Sequence, residues 1–220
     1  MLEPMLDILP KAQRELWPAL VEIPDNFVLY GGTALALRLG HRSSVDFDFF
    51  SSQRLDTEAL YKIPFVADAE VLQREPTALT LSVNPPDPVK VSFFGDIGFG
   101  RVSSPDQTAD GVLAVASLLD LFGTKLKVLL QRVAARDYLD LAAILRAGIP
   151  LQDGLGAAVA LYGNSNEFPR PTPSKRLLTT KRTLLDRLMA RRAGFFTQQA
   201  LRWDFTVTQF PETKTSLIGP

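Results

Sequence analysis

Apolar residues in the first part of the chain follow two spacings, which predict short helices and buried strands. Residues 5–22 carry apolar side chains at roughly helical intervals, divided by two prolines, and predict one or two short helices. The run "FVLY" (27–30) predicts a buried strand that ends at a Gly-Gly pair. The helix "ALALRL" is expected to follow, with Thr33 as its N-cap and Gly40 at its end.

A second strand is predicted by the alternating run "VDFDFF", from Val45 to Phe50. Side chains two residues apart in a strand lie on the same face of the sheet. We therefore expect Asp46 and Asp48 to point one way, and the apolar side chains between them to point the other way.

The rest of the chain divides into a strand-rich part and a helical part. A short helix is predicted at 56–61, and further strands are predicted within "FVADAEVLQRE" (65–75), "ALTLSVN" (78–84) and "VKVSFF" (89–94). From Ser117 the pattern predicts two helices, which Gly148 and Pro150 should end, then a loop at 162–174 and a further helical pattern at 175–192. The fold class is thus α+β: a small mixed β-sheet with helices over residues 1–115, followed by a helical C-terminal region over 116–220.

Composition adds few constraints. The chain has 220 residues, 46% of them hydrophobic, with 24 basic and 24 acidic residues and no cysteine. Disulfides, thiolate metal sites and cysteine nucleophiles are therefore excluded. The N-terminal residues lack the basic start and apolar run of a signal peptide, and no run approaches the ~18 apolar residues of a membrane span. We expect a soluble, cytoplasmic protein with no membrane partner.

The two aspartates are the first candidate for chemistry. Two carboxylates on one strand face can hold Mg²⁺, which combines a few carboxylates with substrate phosphates. A bare D-x-D is a weak signal, and two solvated acids on an edge strand are the plain alternative. The Gly31-Gly32-Thr33 turn strengthens the case, because free backbone N–H groups at a helix start form a phosphate-binding concavity.

Two charged residues of the later helices fall on apolar faces. Lys125 shares its face with Leu121 and Leu129, so it either reaches a phosphate or extends harmlessly to solvent. Asp137 shares a face with Leu141 and is the better catalytic candidate, either orienting Lys125 or an attacking hydroxyl or acting as a general base. The next acid, Asp140, is expected to form an exposed pair with Arg136.

The corner before the aspartates is polar. Arg42 is a candidate phosphate or base contact, or it balances the acids, and Ser43 and Ser44 are candidates for contacts with a triphosphate. His41 is the only histidine, which excludes a site built on several histidines. It either braces the corner through a hydrogen bond or contacts the substrate.

Taken in order, these motifs resemble one family. The run "GGTALALRLGHRSSVDFDFF" is similar to the AbiEii/AbiGii toxins, nucleotidyltransferase-like proteins, through its "GGTAL", "GHR" and "DFDFF" elements. That family also carries a Lys-x-x-x-Leu motif and an Arg-Asp-x-x-Asp motif, matched by "KLKVL" (Lys125 to Leu129) and "RDYLD" (Arg136 to Asp140). The resemblance covers roughly residues 27–148.

The resemblance implies a Mg²⁺-dependent enzyme that moves a nucleoside monophosphate from an NTP to an acceptor. It implies a toxin with a cognate antitoxin, and tRNA or another RNA, or a protein, as acceptor. Asp46 and Asp48 would hold the metal, the glycine turn the phosphates, and Lys125 with Asp137 would complete the site. Ser92 stands where many nucleotidyltransferases have a third metal-binding acid, so a single Mg²⁺ is expected.

The segment 175–192 is strongly basic, with seven Lys and Arg residues against Asp186. Such a segment suits an RNA backbone, with Lys175, Arg176, Lys181 and Arg182 as candidate contacts. The alternative is a solvated helix face.

Two functions of other classes compete with transfer to RNA. One is a non-catalytic module that binds nucleotide, RNA or protein on the same fold, which Ser92 favours. The other is a D-x-D glycosyltransferase, for which a longer chain is expected.

Overall fold

The computed structural model describes residues 1–84, 87–132 and 134–162. Its centre is a mixed sheet of seven strands in the order β3-β4-β5-β2-β1-β7-β6. The strands are β1 (Val28–Tyr30), β2 (Asp46–Phe50), β3 (Glu70–Glu75), β4 (Ala78–Val83), β5 (Val89–Phe94), β6 (Asp106–Gln107) and β7 (Ala114–Val115). The α+β class with a small mixed sheet is confirmed.

The described residues also form seven α-helices and two 3-10 turns. They are α1 (Lys11–Leu16), α2 (Gly31–Leu39), α3 (Thr57–Leu60), α4 (Pro64–Ala67), α5 (Leu118–Gln131), α6 (Ala135–Arg146) and α7 (Leu151–Tyr162), with 3-10 turns at Leu6–Ile8 and Trp17–Glu22. No helix of the described residues is long and apolar enough to span a bilayer. The division of the chain at residue 115 stays a prediction.

The central strands contribute to the core, where the ring of Phe47 lies 6.4 Å from that of Trp17 between centroids. Phe47 and Phe49 on β2 and Phe93 on β5 are fully buried, and the ring of Phe49 stacks on that of Phe93 at 5.5 Å between centroids. Each ring removes a large apolar surface from water, and stacking adds to that stabilisation. Because side chains alternate along a strand, this burial on one face turns Asp46 and Asp48 towards the opposite face.

Pairing within the sheet fixes what lies beside the two aspartates. β1 runs antiparallel to β2 and places Tyr30 opposite Asp48. β5 runs parallel to β2 and places Lys90 beside Asp46 and Ser92 beside Asp48. The face that carries the carboxylates therefore continues across three neighbouring strands.

Some expectations were wrong. Thr33 does not cap α2: its N-cap is Tyr30, whose side chain makes no capping hydrogen bond, while Gly40 ends the helix at φ +57° as expected. In the predicted strand at 65–75 the first residues form α4, because Pro64 is well suited to a first helical position. Tyr162, expected in a loop, is the last residue of α7, and the remainder of that loop and the basic helix lie outside the described residues.

Candidate active site

The site begins with the two carboxylates on β2. Asp46 and Asp48 are both partly buried, whereas Phe47 and Phe49 are fully buried in the core. Burial raises the pKa of Asp48, and the nearby charge of Asp46 raises it further. Two partly desolvated like charges on one face repel each other, so the pair is suited to receive a cation.

The glycine turn at the start of α2 lies directly against Asp48. Gly31 has φ +78°, and a Cβ added to it would lie 2.7 Å from Asp48 Oδ2. Only glycine leaves this space open without backbone strain. The buried Thr33 hydroxyl donates a hydrogen bond to the carbonyl oxygen of Asp46 and so ties α2 to β2.

The polar corner lies against the other glycine. A Cβ on Gly32 would lie 2.7 Å from Arg42 Nη2 and 2.8 Å from Ser44 Oγ. Ser43 is exposed, and its carbonyl oxygen accepts a hydrogen bond from Arg42 Nη1. The glycine pair thus has a carboxylate on one side, and a guanidinium and a hydroxyl on the other.

Asp140 is the centre of a buried charge cluster, which contradicts the expected exposed pair with Arg136. Its side chain is fully buried, and its carboxylate accepts two hydrogen bonds from Arg42, at 2.6 and 2.8 Å. His41 Nε2 lies 2.8 Å from one oxygen, and Lys125 Nζ lies 2.6 Å from the other. Buried carboxylates need such partners, and α6 supplies Asp140 to the corner that precedes β2.

Lys125 connects Asp140 to a second buried acid. Its ammonium lies 3.0 Å from Asp137 Oδ1, and Arg132 Nε donates to Asp137 Oδ2 at 3.0 Å. Lys125 is itself buried, so the alternative that its side chain extends harmlessly to solvent is wrong. Its positive charge also opposes the rise in the pKa of Asp48.

The acids of α6 are ionised much more easily than Asp48. Burial would raise the pKa of Asp140, but hydrogen bonds from His41 and Arg42, with the charge of Lys125, outweigh burial and hold the pKa well below its usual range. The pKa of Asp137 is lowered in the same way, with hydrogen bonds from Arg132 and Lys125 outweighing burial. A carboxylate with a lowered pKa is a poor proton acceptor, so this environment favours an orienting role for Asp137 over a general base.

The structure brings most of the predicted site together. Asp48 lies against Gly31, Arg42 and Ser44 lie against Gly32, and Asp140 links Arg42 to Lys125 and Asp137. The candidate RNA contacts Lys175, Arg176, Lys181 and Arg182 lie outside the described residues. Three charged residues were missed as parts of the site: Asp140, Arg132 and Lys90. Asp140 could have been found from its place in the "RDYLD" motif, whereas Lys90 depends on strand pairing that local pattern does not show.

A mixed sheet in which a Gly-Gly turn and helix precede a D-x-D strand defines the nucleotidyltransferase class. Residues 17–214 match the family described as the nucleotidyl transferase AbiEii toxin, type IV toxin–antitoxin system. The chain therefore belongs to the AbiEii family, and it is a nucleotidyltransferase. The resemblance noted in the sequence is confirmed.

Individual proteins similar to this chain include a sequence relative and solved structures. The chain is 31% identical over 143 residues to the uncharacterized protein aq_aa25 of Aquifex aeolicus, covering 63% of this chain and 68% of that one. A crystal structure of a candidate nucleotidyltransferase from H. pylori has the same fold, with a TM-score of 0.51 and 17% identity, covering 82% of this chain and 92% of that chain. MenT4, a nucleotidyltransferase toxin from Mycobacterium tuberculosis, is 19% identical, with a TM-score of 0.49 over 78% of this chain and 69% of that one.

Proposed function

We propose that this toxin transfers a nucleoside monophosphate from an NTP to an RNA acceptor such as tRNA, with Mg²⁺ held by Asp46 and Asp48. The observation that carries the proposal is the close approach of the Asp48 carboxylate to Gly31, which leaves no room for a Cβ there. It joins a candidate phosphate-binding turn to a candidate metal-binding pair in a single face.

Nucleotidyltransferases generally use a divalent metal, and the donor set here fits one. Asp46 and Asp48 offer hard oxygen ligands on one face, and burial together with their mutual repulsion makes a bound cation favourable. When bound, Mg²⁺ would supply positive charge to the triphosphate. Asp46 and Asp48 would be its protein ligands, and the substrate phosphates would provide others.

The remaining residues position the substrate. The Gly31-Gly32 backbone lets phosphate oxygens approach the first N–H groups of α2, with Arg42 and Ser44 beside Gly32. Asp140 holds the Arg42 guanidinium with two hydrogen bonds, so Arg42 is oriented before substrate arrives. Asp137 and Asp140 together hold Lys125, which adds positive charge near the aspartates. These fixed charges stabilise negative charge that develops on the phosphates during transfer.

The chemical step is a substitution at the α-phosphorus. The acceptor oxygen forms a bond to the α-phosphorus, and the bond to the bridging oxygen of the β-phosphate breaks. Pyrophosphate leaves with the electron pair, and the acceptor proton is released to water. An in-line displacement of this kind depends mostly on positioning and electrostatics, which the buried ion network provides.

The test is a labelling experiment with the full chain, Mg²⁺, each α-labelled NTP in turn and total bacterial RNA. We expect label in an RNA band of tRNA size and none from the matching γ-labelled NTP. Label in the protein instead would redirect the proposal to a protein acceptor. No label despite measurable NTP binding would support the non-catalytic binding module.

The control for chemistry is the double variant Asp46→Asn, Asp48→Asn. It should remove the label without unfolding the chain, because ionised Asp48 is unfavourable in the folded state and an amide removes that repulsion. A melting temperature equal to or above that of the wild type is therefore expected. Persisting label in this folded control would exclude the two aspartates from the reaction.

A further inference from the structure

The strand beside the aspartates carries Ser92 where an acid is expected, and Lys90 two residues earlier. In the parallel pairing of β2 with β5, Lys90 lies beside Asp46 and Ser92 lies beside Asp48. Paired residues of neighbouring strands project from the same face, so all four side chains share it. Lys90 Nζ lies 3.8 Å from Asp46 Oδ2, and the Lys90 side chain is 47% exposed.

The charge of Lys90 acts on the aspartate pair. An ammonium and a carboxylate at this distance attract each other, so Lys90 offsets part of the negative charge of the pair. Lys90 lies on β5, so the pairing of β5 with β2 places its Cα beside that of Asp46.

Ser92 does not replace an acid as a metal ligand. It is only 1% exposed, and its hydroxyl oxygen lies 3.3 Å from Thr80 Oγ1 on β4, which donates to it. Within the described residues, no group of three acids, histidines or cysteines is placed to hold an ion. The face therefore has two carboxylates and one ammonium instead of three carboxylates.

We propose that this site takes a single divalent cation and that the Lys90 ammonium replaces the second metal ion. Two carboxylates, one ammonium and one divalent cation leave a single net positive charge. Three carboxylates and two divalent cations leave the same charge, so the triphosphate meets a site of the same net charge. The inference rests on the proposed function and specifies how its site is charged.

The first test counts bound Mn²⁺ on the full chain by electron paramagnetic resonance, with the metal alone and without turnover. We expect one Mn²⁺ per wild-type chain, and its binding should disappear in the Asp46→Asn, Asp48→Asn variant. Two ions that both disappear in that variant, or none bound by the wild type, would overturn the proposal. Because no label transfer is needed, a failed labelling experiment leaves this count unaffected.

The second test separates Lys90 from a merely structural lysine. Lys90→Gln should bind Mn²⁺ about fivefold more tightly, since a competing cation is gone, while turnover falls by about tenfold or more because fixed charge is removed. Lys90→Arg should restore turnover. The matched control Lys62→Gln, an exposed lysine elsewhere, should change neither. Unchanged Mn²⁺ affinity or unchanged turnover in folded Lys90→Gln would contradict the proposal.

The third test restores the missing acid. The double variant Lys90→Gln, Ser92→Asp is expected to bind two Mn²⁺ per chain, because it has the three-carboxylate set. A folded double variant that still binds one ion would show that Ser92 does not limit the count. Ser92 is buried, so folding is checked by circular dichroism; if the variant does not fold, the wild-type count and Lys90→Gln decide.

Discussion

The carboxylate of Asp140 contacts side chains from several elements near the Gly31-Gly32 turn. Asp140 is bound by Arg42 and Lys125 and lies beside His41, although His41 is 99 residues away in the chain. Helical spacing alone suggested an exposed pair with Arg136, because a local pattern cannot show which distant cations a carboxylate will meet. The motif placed Asp140 near the site, but only the tertiary structure shows that it is buried.

Replacing Asp140 should therefore destabilise the whole fold. Asp140→Asn leaves Arg42 without its charged partner and leaves Lys125 with Asp137 alone; breaking a buried ion pair typically costs about 3–5 kcal/mol. Urea unfolding of the full chain measures this decrease in stability. The exposed Asp153→Asn on α7 is the matched control and should cost less than about 1 kcal/mol. Equal, small decreases in both variants would show that the cluster contributes little.

The same residue predicts how stability depends on pH. The pKa of Asp140 lies below its ordinary value of 3.8 in the folded protein, so its stabilising effect is complete above that value. As pH falls below about 4 towards the folded pKa, protonation removes this contribution. Over roughly the two pH units below that point, the wild type should thus lose more stability than Asp140→Asn. Parallel decreases in the two proteins would contradict the assigned ion pairs.

At the scale of elements, the sequence predicted those with a strong period or a clear end signal. The strands β1, β2, β4 and β5 and the helices α2, α5 and α6 lie where the pattern placed them. The two-residue strands β6 and β7 are too short for a pattern to show. The helix α7 contains Gly154 and Gly156; a Cβ on Gly154 would lie 2.5 Å from the ring of Phe122, so the glycine serves close packing against α5.

The start of α2 allows a prediction about Gly31, the first residue of that helix. Gly31→Ala places a Cβ 2.7 Å from Asp48 Oδ2 and strains a backbone at φ +78°. We expect NTP-dependent labelling to fall by at least about a hundredfold, because Asp48 must move. The control is Gly156→Ala, whose Cβ meets nothing within 4 Å and which should stabilise α7 by about 0.5–1 kcal/mol. Labelling by Gly31→Ala within a fewfold of the wild type would show that this close approach is unnecessary.

At the scale of the whole molecule, charge is balanced in total but not in distribution. The chain has 24 basic and 24 acidic residues, yet the segment 175–192 has seven basic residues and one acid. The face of Asp46 and Asp48 carries negative charge that suits a metal cation, whereas the segment 175–192 carries positive charge that suits an RNA backbone. Under the proposed function, we expect this segment to bind the RNA acceptor while the face of Asp46 and Asp48 carries out the transfer.

The test replaces Lys175, Arg176, Lys181 and Arg182 together with Gln. For single-stranded RNA, each phosphate that is no longer neutralised should reduce the slope of log affinity against log salt by about 0.7, so the slope should fall by about 3. The KM for RNA should rise while the KM for NTP stays constant, because the metal and phosphate groups are untouched. The control neutralises four exposed basic residues elsewhere, Lys11, Arg14, Lys62 and Arg74, and changes the net charge equally. Equal effects of the two quadruple variants would mean that total charge, and not this segment, attracts the acceptor.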